Sequence, residues 1–258
     1  TVPTPDARLA RDGRTPVDVA RDAAAALETF LDANHETVAA LIVEPLVQGA
    51  SGMVTYDASY LARARELCTH YGVHLIADEI MTGFGRTGTM FACEQAGIAP
   101  DLMLLSKGIT GGFLPLACVL ASDAIYDAFY DDDAARGFLH SHSYTGNPLA
   151  CSAALAVLDI FAGDAVIEAN RSRAARWDSL AAPLASHPNV RDFRRCGMIV
   201  AFEVDSGRAD FARWCFAEGI ARGILLRPIG RTVYLMPPYV IADDEFALLV
   251  DRTREIVE

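Results

Sequence analysis

The sequence predicts an α/β fold, a mostly parallel sheet flanked by helices, followed by a smaller C-terminal α+β unit. Three observations carry that expectation. Short apolar runs, VAALIV at 38–43, LIA at 75–77 and LMLL at 102–105, alternate with segments of helical period, and such alternation builds parallel sheets. Two of these runs end in charge, Asp78-Glu79 after the second and Ser106-Lys107 after the third. Beyond residue 163 the order changes to long helices separated by short strands, the pattern of an antiparallel α+β unit.

Taken in order, residues 1–16 carry three prolines and read as an irregular surface segment. Asp18–Asn34 places Val19, Ala23, Ala26, Leu27, Phe30 and Leu31 at helical spacing. A strand at 38–43 ends at Glu44-Pro45, and LVQGASGM after it reads as a Gly-containing loop. Asp57 caps a helix over 57–71 that Gly72 ends. A strand at 73–77, the loop GFGRTG, a short helical stretch at 90–96 and a strand at 102–105 repeat the unit. PLACVLAS at 115–122 is a further strand, 124–130 a short helix, and DDDAARG a solvated loop. Asn147 and Pro148 then open a helix running to Phe161. Helices at 165–187, 210–222 and 243–257, with strands at 190–194 and 198–204, complete the chain. The expected division is 1–162, in the larger unit, and 163–258.

Composition narrows the function classes. At 258 residues and 52% hydrophobic content the chain can bury a large core. A net charge of −12, with only 22 scattered basic residues, disfavours a nucleic-acid or anionic-membrane surface. Six cysteines without a CxxC pair suggest neither a zinc site nor a disulfide framework, so a reduced, cytoplasmic setting is expected. His140 and His142 read as loop histidines, with no acidic residue at ligand spacing, and no metal site is expected.

The charged strand ends are the candidate site, because open α/β sheets bind ligands at the carboxyl ends of their strands. Lys107 follows MLLS, read like the neighbouring apolar runs as a strand buried on both sides, and precedes a Gly-rich turn, so it should be partly desolvated, with its pKa depressed as Schiff-base chemistry requires. Asp78 at a buried strand end calls for a cationic partner. Lys and Asp together are the pair pyridoxal phosphate enzymes use, the carboxylate facing the pyridine nitrogen. Arg227, after ILL and locked before Pro228 in an extended segment expected to be partly buried, is a carboxylate-binding fork or one half of a structural ion pair, and its neighbour Arg231 could be mistaken for it.

The runs EPLVQGASGM, IADEIMTGFGRTG, FACEQAGIAPDLMLLSKGITGG and YTGNPLAC resemble the class III (omega-type) aminotransferases, from about Val38 to the C-terminus. The resemblance implies pyridoxal phosphate fold type I and pyridoxal 5'-phosphate as cofactor. It implies that Lys107 forms the internal aldimine, Asp78 holds the ring nitrogen protonated, Ile80 packs on a ring face, and Glu44 lies near the substrate amine or a pairing arginine. Ser143 falls where the class has a Thr that reaches the partner subunit's cofactor phosphate, implying a homodimer with shared sites. Met81 stands where many members have Gln. RPIG…YLMPPY resembles the branch of the class that serves biotin synthesis. That implies 8-amino-7-oxononanoate as acceptor, its carboxylate on Arg227, and S-adenosylmethionine as donor. Another class III omega-amino acid or ornithine-type transaminase stays open. The Gly-Ser-rich phosphate turn and stacking aromatic of the class are not found in these 258 residues, so the chain is expected to be a C-terminal portion, and a catalytically incompetent fragment stays open as well.

Overall fold

The computed structural model describes residues 1–258. Helix α1 spans Pro16–Asn34 and starts two residues before the expected Asp18. Asp18 is not the cap: Thr15 accepts from the Asp18 N–H, the Asp18 carboxylate takes the Thr15 N–H, and Pro16 occupies the first turn. Ala20, Ala24, Leu27 and Leu31 bury its inner face with α2 (Ala58–Tyr71), which Asp57 caps and Gly72 ends at φ +67°. Between them lie β1 (Ala40–Val43) and, inside the expected loop, a small antiparallel pair, β2 (Val47–Gln48) and β3 (Val54–Thr55). The turn joining the pair holds Gly52 at φ +93°, a conformation open to glycine.

Strands β4 (His74–Asp78), β5 (Leu102–Leu105) and β6 (Cys118–Ala121) complete a four-stranded sheet in the order β1-β4-β5-β6. The first three strands are parallel, and β6 closes the sheet antiparallel to β5. Asp101 pins the start of β4: it takes the Leu75 N–H at 2.6 Å and the Arg65 guanidinium at 2.6 Å. The helical stretch expected at 90–96 is a 3-10 turn over Ala92–Ala96, and the following short helix, α3, covers Asp123–Asp127.

Helix α4 (Pro148–Gly163), capped by Asn147 on the Leu149 N–H, meets α5 (Val166–Ala185) at 70°, with Ala165 at φ +47° in the corner. No single helix is long and apolar enough to cross a membrane. Strands β7 (Val190–Cys196), β8 (Ile199–Val204) and β9 (Thr232–Leu235) form an antiparallel sheet covered by α5, α6 (Phe211–Ala221) and α7 (Asp243–Val257). Its core is built on Trp177, stacked on Phe246 at 3.8 Å between ring centroids, with Phe202, Met198 and Leu235 around it.

The strands of the first sheet are not buried on both faces as expected. Ile42 on β1 is 59% exposed, because α1 and α2 cover the other face there, and β5 is mostly half-buried although Met103 and Leu105 pack with Phe84 and Ala154 of α4.

Two stability outcomes follow. Trp177→Ala should cost about 3–5 kcal/mol in urea unfolding, since the indole is fully buried. Burial alone would raise the Asp101 pKa, but the Arg65 hydrogen bond and the Leu75 N–H outweigh it and hold the carboxyl below its ordinary range. A lowered folded-state pKa stabilises above the unfolded value and is lost as pH falls through the folded one. Asp101→Asn should therefore cost about 1.5–3 kcal/mol at neutral pH, and its deficit against the native chain should shrink below about pH 4.

Candidate active site

The parallel register sets Ala77 beside Met103 and Asp78 beside Leu104. The two charged strand ends therefore emerge at the same edge of the sheet, Asp78 at the tip of β4 and Lys107 three residues past Leu104. The adjacent acids have separate jobs. Glu79 is fully buried and satisfied, taking the Thr82 hydroxyl and the Cys93 N–H at 2.8 Å. Asp78 is half-buried, accepts only the Ile80 N–H at 3.1 Å, and has no ion-pair partner. Its carboxylate thus keeps acceptor capacity free for a cationic N–H.

Lys107 begins a 3-10 turn, Lys107–Thr110, with its backbone at φ +45°. A non-glycine residue there costs on the order of 1–3 kcal/mol and persists where the surroundings enforce it. The enforcement is visible: Ser106 Oγ donates to the Leu116 carbonyl and Thr110 Oγ1 to the Leu114 carbonyl. Gly108 lies so close to Phe84 that a Cβ there would come within 2.9 Å of it. The expected burial of Lys107 is a different matter. The residue is exposed, because residues 111–115 beside it turn outward and no other part of the chain covers it.

Glu44 closes its own turn, accepting the Gly49 N–H at 2.8 Å, and no arginine pairs with it. A Cβ on Gly49 would meet Met81 Sδ at 2.6 Å, so the methionine fills the space beside the Glu44 carboxylate. Glu44 and Asp78 share one cleft of about 560 Å³ along the open edge of β1. The turn is bolted to the antiparallel sheet by Arg194, whose guanidinium donates to the carbonyls of Gly52 and Met53 and pairs with Glu203.

Arg227 is exposed and carries no ion pair, whereas Arg231 lies 4.0 Å from Asp205. That separates the two: the structural ion pair belongs to Arg231. The expected partial burial of Arg227 is not met: Leu226 enters the core and Ile224 packs against it, while Leu225 and Arg227 stay outside. Ser143 sits in an exposed turn held by the His142 N–H on Thr145 Oγ1 and the Tyr144 N–H on His142 Nδ1. His142, Thr145 and Asn147 of that loop line a second cleft, of about 660 Å³, that reaches Ser106 next to Lys107. Asp78 and Glu44 are thus brought together, Lys107 lies at the same sheet edge, and Ser143 and Arg227 line neither cleft.

Two features escaped the motif reading. Lys107 is the only lysine in the chain, every other basic side chain counted with it being arginine. A residue count alone reveals that. The second is the fastening of GFGRTG to the C-terminal segment. Arg86 donates to the Pro237 carbonyl and lies 4.5 Å over the Tyr239 ring, and the Tyr239 hydroxyl donates to the Phe84 carbonyl at 2.7 Å. No sequence spacing links residues so far apart.

Residues 2–257 fit the class III aminotransferase model, and the chain belongs to that family. It is similar to the adenosylmethionine-8-amino-7-oxononanoate aminotransferases of Nitratidesulfovibrio vulgaris (45% identical, 85% of this chain and 42% of the relative) and Helicobacter pylori (45%, covering 90% and 55%). Among solved structures it superposes on the enzyme of that name from Methanocaldococcus jannaschii at TM-score 0.86, with 34% identity over 92% of this chain and 57% of that one. It superposes on an amine transaminase from an uncultivated Pseudomonas species, in its PLP-bound form, at TM-score 0.89, also with 34% identity, over 99% and 60%. The chain spans about half the length of the curated relatives it matches.

The acids of the pair separate experimentally. Glu79→Ala should lose about 2–4 kcal/mol in urea unfolding, since two buried donors are left without an acceptor. Asp78→Asn should stay within about 1 kcal/mol of the native chain.

Proposed function

We propose that the chain carries the lysine-bearing part of a pyridoxal phosphate-dependent aminotransferase site, acting on 8-amino-7-oxononanoate with S-adenosylmethionine as amino donor, in biotin biosynthesis. The observation that carries it is the free state of the required charges: Lys107, Asp78, Glu44 and Arg227 are absent from every ion pair of the structure, although sixteen of the twenty-one arginines are engaged. The residues fit the cofactor. Asp78 offers an unpaired, half-buried carboxylate for a protonated ring nitrogen, and Lys107 the one side-chain amine for its carbonyl carbon.

When bound, pyridoxal phosphate supplies an electrophilic carbonyl and an electron-accepting ring. Asp78 would hold the proton on the ring nitrogen, and Ile80, two residues on, would pack against the ring. Lys107 Nζ would take the proton from the amine-bearing carbon of the substrate and hold it for return. Arg227 takes the acceptor's carboxylate in its fork, and Glu44 receives the substrate amine. Ser143 donates its hydroxyl to the phosphate in the partner subunit. Support for a homodimer is the apolar surface around it, where Phe113, Leu139, Tyr144 and Leu149 are 68% or more exposed along with Phe138, a density that marks an interface rather than a solvated face.

The same reading divides the chain into a cofactor-binding unit, 1–162, and a small unit, 163–258, in keeping with separate cores on either side of the α4–α5 corner. Six free thiols agree with a cytoplasmic setting. A second reading, a class III transaminase for another amine, is favoured by the close superposition on an amine transaminase. Turnover of adenosylmethionine with 8-amino-7-oxononanoate decides between them.

Incubation with pyridoxal phosphate followed by borohydride should give one side-chain adduct, on Lys107, and none in Lys107→Ala. An adduct retained in that variant, or none in the native chain, defeats the assignment. In the enzyme containing this chain, Arg227→Ala should raise the KM for the keto acid ~10-fold or more with a smaller change in kcat, as loss of a charge-assisted fork implies.

A further inference from the structure

We infer that Tyr239 is a positioning residue for Lys107, acting across the two sheets through Phe84 and Gly108. The inference rests on the assignment of Lys107 as the reactive amine, and it goes beyond that assignment by naming what sets the amine's backbone.

The path is short and made of close contacts. Tyr239 is partly buried, and its hydroxyl donates to the Phe84 carbonyl at 2.7 Å. Burial raises the Tyr239 pKa, so the hydroxyl stays a donor through the physiological range. Its ring is held from behind by the Arg86 guanidinium at 4.5 Å, and Arg86 is itself anchored on the Pro237 carbonyl. Phe84 is 3% exposed and adopts φ +57°, a conformation a bulky residue keeps only under constraint. The hydrogen bond from Tyr239 supplies that constraint at the carbonyl. The Phe84 side chain then lies flush on Gly108, where an added Cβ would stand 2.9 Å from both its Cβ and its ring. Gly108 is joined to Lys107, whose own φ of +45° is the second left-handed residue in the chain of contacts. Two strained residues thus face each other across one glycine, and the only side-chain hydrogen bond on the first comes from Tyr239.

A role confined to packing between the sheets would leave the Tyr239 hydroxyl without a task. Packing would be served by its ring, which Arg86 covers; the hydroxyl is aimed instead at the carbonyl of the residue that touches Gly108.

Tyr239→Phe removes the hydroxyl and keeps the ring under Arg86. In the ligand-free chain, amide hydrogen exchange should speed up over 83–85 and over 107–112, with exchange around Trp177 and Phe202 unchanged. Reductive trapping of pyridoxal phosphate on Lys107 should slow ~10-fold or more, within the ~100-fold that a displacement of about 1 Å can cost. Acetylation of Lys107 by acetic anhydride, which needs no fixed geometry, should be unchanged; with a single lysine, peptide mass separates its adduct from that of the N-terminal amine. Phe84→Leu, which keeps the backbone acceptor but withdraws the ring from Gly108, should reproduce both the exchange and the trapping effects. Unchanged exchange over 107–112 in either folded variant, or native trapping rates in both, overturns the inference and leaves Tyr239 a clasp between sheets. A native chain that forms no Lys107 adduct instead defeats the assignment of the amine, and exchange over 107–112 still decides the coupling.

Discussion

The parallel pairing of β4 with β5 is the constraint on which the rest depends. Parallel strands point their carboxyl ends the same way, so a register that sets Asp78 against Leu104 delivers Asp78 and Lys107 to one edge of the sheet. Asp101 fixes where that register starts by taking the Leu75 N–H, with Arg65 of α2 held on the same carboxylate. A slip of one residue would turn Asp78 to the opposite face. Buried Glu79 then holds the loop that leaves β4, so the acid beside it can stay free.

What the motifs made legible were the elements whose signal is local. The caps at Asp57 and Asn147, the end at Gly72 and the apolar runs of β4 and β5 each depend on a few neighbouring residues. Helix α1 starts ahead of Asp18 because Thr15 and Asp18 exchange hydrogen bonds, so the hydroxyl and not the acid sets its first turn. The pair β2–β3 was hidden because two-residue strands have no period to read. The antiparallel placement of β6 is likewise a property of its partner, not of PLACVLAS.

The candidate site divides the same way. Lys107 and Asp78 are legible because a charge after an apolar run is unusual wherever it occurs. Burial is not legible in this way. Lys107 and Arg227 follow apolar runs yet are exposed, because whether a side chain is covered depends on segments distant in sequence. The contrast between Arg227 and Arg231 rests on Asp205, some twenty residues upstream. The fastening of Phe84 by Tyr239 spans still more chain.

One count, the single lysine, reaches further than chemistry at the amine. An endoprotease that cuts after lysine has one bond to find in the whole chain, between Lys107 and Gly108, at the head of the strained turn. Cleavage there would part the sheet's three parallel strands from β6 and everything that follows. The residue proposed as the reactive amine is therefore also the single point of lysine-directed scission, and whatever covers that amine guards the integrity of the backbone beneath it.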